Sequence, residues 1–112
     1  MGHGRKCRIT VLKCMVNEEL ASLYGKDRCP CARFHEGQQF ILDQNSMSGY
    51  WHLMGGTFCA EAWASLSTYI DTVLQGGTFD TPSGENYKIV SCPEGIHPVI
   101  FKVERYQESQ TQ

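Results

Sequence analysis

Six cysteines are the residues of this chain best suited to chemistry, because a thiolate is both a nucleophile and a soft metal ligand. They occur within only 112 residues. Such thiols could bind a metal ion, attack a substrate or serve as small buried hydrophobic groups. The six are Cys7, Cys14, Cys29, Cys31, Cys59 and Cys92.

Cys59 is the strongest single candidate for a reactive or metal-binding thiol. Thr57 has the side chain of an N-cap, which predicts that a helix begins after it and that Cys59 lies in the first turn. Backbone N–H groups and the positive end of the helix dipole favour a thiolate there. The alternative is that Cys59 is a small hydrophobic residue of the core.

Cys29 and Cys31 are separated only by Pro30, which suggests a metal site on a loop. This C-x-C spacing differs from the C-x-x-C of thioredoxin-like redox sites. Two thiolates on one loop can share a soft metal ion, and a tetrahedral structural site needs four ligands. The expected ligands are Cys29, Cys31, Cys59 and either Cys92 or His35, for zinc, copper(I) or iron. The alternative is a proline-stiffened loop without a metal.

Cys92 stands at the end of a predicted strand, just before Pro93-Glu94-Gly95. Functional side chains are common where strands pass into loops. If Cys92 is a nucleophile, His97 could act as its base across the predicted hairpin, because cross-strand neighbours lie close together. Cys92 could equally belong to the core beside Val90, and His97 could be a structural residue.

Cys7 and Cys14 are interpreted as structural. Residues 5–16 predict a strand whose alternation places Cys7, Ile9 and Val11 on one face. The same alternation places Cys14 on the other face. Both cysteines are therefore interpreted as structural residues of the strand.

The other elements follow from hydrophobic periodicity and end signals. Asn17 caps a short helix, Gly25 ends it, and its expected buried residues are Leu20, Leu23 and Tyr24. The remaining elements are a strand at 38–43, a helix at 58–75, and a terminal hairpin of strands at 87–92 and 96–105. The long helix has a predicted buried stripe of Ala62, Trp63, Leu66, Tyr69, Ile70, Val73 and Leu74.

The element order β-α-β-α-β-β predicts an α+β fold. We expect one four-stranded sheet, packed on one face by two helices, with a C-terminal β-hairpin. Residues 1–112 are expected to form a single domain, with a leader at 1–5 and a frayed tail at 107–112.

An apolar loop is predicted between the second strand and the long helix. Glycine, serine and asparagine make residues 44–56 irregular, yet several large side chains lie among them. We expect this loop to cover a small-molecule ligand, with His52 able to reach it. The covering residues are Tyr50, Trp51, His52 and Met54.

Composition and charge narrow the function classes. The formal net charge of −2 predicts no nucleic-acid partner and no anionic membrane partner. No apolar run approaches the roughly 20 residues of a membrane span, and no secretory signal is recognisable. These features predict a cytoplasmic protein whose cysteines are free or metal-bound. Motifs of nucleotide-binding proteins, serine hydrolases and zincins do not occur.

Seven short segments of the chain resemble a family of short, uncharacterised microbial proteins that contain cysteines. They are Arg8-Ile9-Thr10-Val11-Leu12, Cys29-Pro30 with Glu36-Gly37-Gln38, Phe58-Cys59 with Ala62-Trp63, and Cys92-Pro93-Glu94-Gly95-Ile96 with Pro98-Val99-Ile100-Phe101-Lys102. The resemblance covers residues 6–105 and implies that Cys29, Cys59 and Cys92 belong together. In that family an arginine often stands where this chain has His97, and Cys31 and the longer apolar insertion near Trp51 are departures from the family pattern. The family has no established activity, so the resemblance implies no reaction.

Three functions agree with these observations. The first is a thiolate-centred site that binds a thiophilic metal ion. The second is a small enzyme that uses a cysteine nucleophile or a bound metal on a small molecule. The third is a non-catalytic interaction or assembly module, including a homo-oligomer.

Overall fold

The computed structural model describes residues 5–25, 33–43, 60–79 and 86–106. The elements are β1 (Lys6–Cys14), α1 (Glu18–Leu23), β2 (Gln39–Leu42), α2 (Ala60–Leu74), β3 (Tyr87–Ser91) and β4 (Val99–Tyr106). This order confirms the predicted β-α-β-α-β-β arrangement and the α+β fold. None of the described helices is long and apolar enough to cross a bilayer.

The four strands form one antiparallel sheet in the order β2-β1-β4-β3. The two central strands, β1 and β4, are the first and the last of the described strands. Ile9 of β1 lies opposite Phe40 of β2 on one side and Val103 of β4 on the other. Residues opposite each other in a ladder share a face of the sheet, so this register defines which side chains meet.

The hydrophobic core lies between one face of the sheet and α2, which packs against β1, β3 and β4. Ala62, Leu66 and Ile70 of α2 have no exposed surface, and Trp63 and Tyr69 are half-buried. These residues confirm the predicted helical stripe. The buried residues of the sheet are Cys7, Ile9, Val11, Leu42, Val99, Phe101 and Val103.

The short helix α1 has the predicted ends but a different buried residue. The Asn17 side chain accepts a hydrogen bond from the Leu20 N–H, and Gly25 takes a left-handed φ of 67°. Ala21 is the buried residue, whereas Leu23 and Tyr24 are 69% and 68% exposed. The predicted buried face is therefore wrong. A six-residue helix has fewer than two turns, so it can direct little of its surface into a core.

A β-bulge near the end of β1 changes the face on which Cys14 lies. Val11 pairs with Phe101, and Cys14 pairs with Val99. Cys14 lies three residues after Val11 in β1, but Val99 and Phe101 are only two residues apart in β4. The extra residue is Leu12, since Lys13 pairs with Ile100. A bulge of this kind reverses the alternation beyond it. The prediction that Cys14 lies opposite the Cys7 face is therefore wrong.

Deleting Leu12 should be tolerated, because the remaining residues would pair in a regular register that keeps Cys14 opposite Val99. We expect the free energy of unfolding to change by about 1 kcal/mol or less. Deleting Lys102 from β4 is the control, since β4 has no extra residue and the deletion would turn Val99 and Phe101 out of the core, which should prevent folding. Urea denaturation of the two variants measures the difference. Equal damage from both deletions would contradict the assigned bulge.

The C-terminal hairpin has a longer connection than predicted, because β4 begins at Val99 rather than at residue 96. Pro98 has no N–H group and cannot donate to a ladder, which explains the late start. Residues 96–98 instead lie beside the end of β1. The Met15 N–H donates to the Pro98 carbonyl, and the Asn17 N–H donates to the Ile96 carbonyl.

Candidate thiol site

Cys14 and Cys92 lie on either side of Val99 at one end of the sheet. Cys14 is the ladder partner of Val99, and the Cys92 N–H donates to the Val99 carbonyl at 3.0 Å. Val99 is buried, and both cysteines are half-buried against the core. We call Cys14, Val99 and Cys92 the thiol row.

The two sulfur atoms of the thiol row have different contacts. Cys92 Sγ accepts a hydrogen bond from the Val99 N–H at 3.4 Å, and Cys14 Sγ donates to the Phe34 carbonyl at 3.5 Å. Backbone N–H donors of this kind are common around metal-bound thiolates. Two strand spacings put the cysteine Cα atoms about 10 Å apart, which is too far for a disulfide. Accordingly, neither thiol is in a disulfide.

The segment before β2 is fixed beside the thiol row. Phe34 is buried, and its ring packs edge-on against Phe101 with centroids 5.2 Å apart. The Gly37 N–H donates to the Val11 carbonyl, and the Glu36 carboxylate accepts from the Cys14 N–H at 3.0 Å. The segment that follows the predicted metal loop therefore reaches the Cys14 end of the sheet.

His35, a predicted metal ligand, lies in this same segment. His35 is exposed, and its backbone N–H donates to the Gln38 side chain at 3.1 Å. This contact does not involve the thiol row. A metal-binding role for His35 stays a prediction.

Two contacts define the direction of α2. Gly76, just beyond the helix, lies against Arg5, since a Cβ atom added to Gly76 would be 2.8 Å from the Arg5 guanidinium. Lys88 Nζ lies 5.6 Å from the centre of the Tyr69 ring. Arg5 precedes β1 and Lys88 is near the start of β3, so the C-terminal half of α2 lies at the end of the sheet remote from the thiol row. Because a 15-residue helix is about 22 Å long, its N-terminus is directed toward the thiol row.

The connection between Cys92 and Val99 is organised by Glu94. Its carboxylate accepts hydrogen bonds from the Ile96 and His97 N–H groups and contacts His97 Nδ1 at 3.1 Å. The bond from the His97 N–H is the main reason that the pKa of Glu94 lies below its usual value. The residue opposite Cys92 is Val99, while His97 lies in the loop rather than on the strand. A role for His97 as a base stays a prediction.

Cys7 lies toward the opposite end of the sheet and differs from the thiols of the row. It pairs with Leu42 and Arg105 and has no exposed surface. Burial raises the pKa of its thiol to about 12. At neutral pH Cys7 is therefore a protonated, buried group.

The remaining predicted site residues are outside the described residues. They are Cys29, Cys31 and Cys59 of the predicted metal site, and Tyr50, Trp51, His52 and Met54 of the predicted covering loop. Within the described ranges, no group of three or more His, Cys, Asp or Glu residues could hold a metal ion. The metal prediction is thus neither confirmed nor contradicted.

Cys14 is the residue of this region that the sequence interpretation missed. Its only sequence signal is the pair Val11-Leu12, where two adjacent apolar residues interrupt the alternation. Leu12 is 36% exposed, as expected for the residue at the bulge.

Comparisons with protein-family models, with curated proteins and with solved structures gave no match. The functional argument therefore depends on the residues of the chain and their geometry. The family resemblance of the sequence remains an expectation.

Proposed function

We propose that this chain binds a thiophilic metal ion through cysteine thiolates at the thiol row. The observation that carries the proposal is the position of Cys14 and Cys92 on the same face, at the same end of the sheet, on either side of Val99. A reducing compartment, in which thiols stay available to metals, is part of the proposal.

The orientation of α2 and the position of the segment before β2 support further cysteine ligands beside the thiol row. The N-terminus of α2 points toward the thiol row, and Cys59 directly precedes the first residue of α2 in the sequence. Cys31 precedes Phe34 by three residues, and Phe34 accepts a hydrogen bond from Cys14. We therefore propose Cys59 and Cys29 or Cys31 as the ligands that complete the set.

The chemistry of four thiolates restricts the metal. Zinc and iron are held by four cysteines in a tetrahedron, and copper(I) also prefers sulfur. Zinc–sulfur bonds are about 2.3 Å long, so both thiols of the row would have to lean over Val99. Cys92 already contacts the Val99 N–H, whereas Cys14 would have to rotate away from the Phe34 carbonyl.

A cysteine-dependent enzyme is a second candidate, favoured by the contact between Glu94 and His97. A carboxylate on Nδ1 orients an imidazole and leaves Nε2 as the proton acceptor. In this candidate Cys92 is the nucleophile, His97 is the base and the substrate is a small molecule. A thiol that alkylates rapidly below pH 7 would be its signature.

Cobalt(II) titration of the reduced, metal-free protein tests the metal proposal, because thiolate-to-cobalt charge-transfer absorption reports sulfur ligands directly. We expect one cobalt ion per chain. The variants Cys92→Ser and Cys59→Ser should weaken binding by roughly 100-fold or more, in keeping with the loss of a ligand. Cys14→Ser tests the ligand that the bulge supplies, and Cys7→Ala is the matched control that should bind like the parent.

Two results would overturn the metal proposal. One is a protein that gives no charge-transfer band and has six freely titratable thiols. The other is equal cobalt affinity in Cys92→Ser and Cys7→Ala. If Cys92 then alkylates rapidly and His97→Ala slows it, the enzyme candidate replaces the metal site.

A further inference from the structure

The face of the sheet opposite α2 concentrates positive charge. In the ladder of β1 and β4 this face carries Lys6, Arg8, Lys13 and Lys102, with Glu104 as the only acidic side chain among its described strand residues. Asp43 follows Leu42 of β2 and stands beside Lys6 in the continued register, so four cations against two carboxylates leave a formal excess of two positive charges. We call this surface the open face. The chain as a whole has a formal net charge of −2, so its charges are segregated.

The centre of the open face holds two cations beside aromatic rings. Arg8 Nε lies 2.9 Å and Lys102 Nζ lies 3.5 Å from the carboxylate of Glu104. The Arg8 guanidinium lies 5.2 Å from the centre of the Tyr106 ring, and Lys102 Nζ lies 5.1 Å from the centre of the Tyr87 ring. The surface thus presents two adjacent pairs of a cation and a ring.

We propose that the open face binds single-stranded nucleic acid, with phosphates at its cations and bases stacked on Tyr87 and Tyr106. A flat sheet that combines cations with aromatic rings is the arrangement that binds single strands with little sequence preference. Lys6 and Lys13 are six ladder steps, or about 20 Å, apart, which gives the surface the length of several nucleotides.

An extended strand fits the open face better than a compact anion. A single phosphate at Arg8 and Lys102 would compete with Glu104, which already bridges these two cations. An extended strand can contact Lys13 as well, outside that bridge. An anionic membrane would satisfy the charges but would leave the cation–ring pairs unexplained. The proposal replaces the expectation that the chain has no nucleic-acid partner, because that expectation used the net charge without the positions of the charges. It is independent of the metal site.

Fluorescence anisotropy with labelled oligouridine and oligothymidine of 12 nucleotides tests the proposal on the full chain. We expect binding at 50 mM salt, and a Kd that rises roughly 7-fold at 200 mM salt, as two net phosphate contacts require. Lys13→Glu should weaken binding about tenfold, and Tyr106→Ala should do the same through lost stacking. Lys88→Glu is the matched control, because Lys88 lies on the other face beside Tyr69. Comparison of the two oligonucleotides distinguishes RNA from DNA.

Three results would overturn the proposal. The first is no binding of either oligonucleotide at 50 mM salt. The second is equal weakening by Lys13→Glu and Lys88→Glu in variants that circular dichroism shows to be folded. The third is binding to phosphatidylserine vesicles without binding to oligonucleotides, which would make the open face a membrane surface.

Discussion

Replacing Phe101 by alanine should lower the free energy of unfolding by about 3–5 kcal/mol. Phe101 has no exposed surface and lies in the central strand β4, opposite Val11 on one side and Val90 on the other. Its ring also packs against Phe34, which holds the segment beside the thiol row. Since domains of this size are stable by about 5–15 kcal/mol, this loss is a large share of the total.

Urea denaturation measures this loss, with Ile89→Ala as the matched control. Ile89 is also a large apolar strand residue, but it is 48% exposed on the other face of the sheet. We expect the control to lose about 1 kcal/mol or less. Similar losses in the two variants would contradict the assigned core face.

Raising the pH from 8 to 11 should lower the free energy of unfolding by about 3 kcal/mol through Cys7 alone. Burial raises the pKa of the Cys7 thiol from 9.0 to about 12, and a backbone hydrogen bond from Glu104 opposes this only in part. Above pH 9 the unfolded chain releases the thiol proton while the folded chain keeps it. The contribution is therefore complete below pH 9 and is lost as the pH rises toward 12.

The difference between the parent and Cys7→Ala isolates this effect from other groups that titrate at alkaline pH. The variant should lose stability less steeply between pH 9 and pH 11 than the parent does. Ile9→Val is the control, because it makes a small cavity in the same strand without removing a titratable group, and its slope should match that of the parent. Parallel stability curves for the parent and Cys7→Ala would show that the Cys7 thiol ionises equally well in the folded chain.

Much of the fold could be predicted from local patterns. The apolar spacing of Leu66, Ile70 and Val73 defined the buried side of the long helix, because a helix repeats every 3.6 residues. Asn17 predicted a helix start, since its side chain can accept from an N–H group three residues later. The final hairpin followed from its β-branched residues, but its loop length did not, because Pro98 ends the ladder earlier than hydrophobicity suggests.

The candidate site was predicted less well, because it depends on contacts between distant segments. Cys92 was correctly placed at a strand end, and Cys7 in the core-facing alternation. Cys14 was placed on the wrong face, since one extra residue at Leu12 reverses every later position and has almost no local signal. His97 fell within the predicted last strand, but it lies in the loop that the Glu94 carboxylate organises.

By itself, the sequence determined the order of the elements, the apolar faces of β1 and α2, and the number of thiols and charges. Element order and apolar faces are local properties that residue propensity and periodicity indicate, and the numbers of thiols and charges are sums over the sequence. Only the tertiary structure decided that Cys14 joins Cys92 beside Val99, and that four cations of β1 and β4 share the open face. Both depend on ladder register between residues some 80–100 positions apart, and register is a property of strand pairing that no single segment carries.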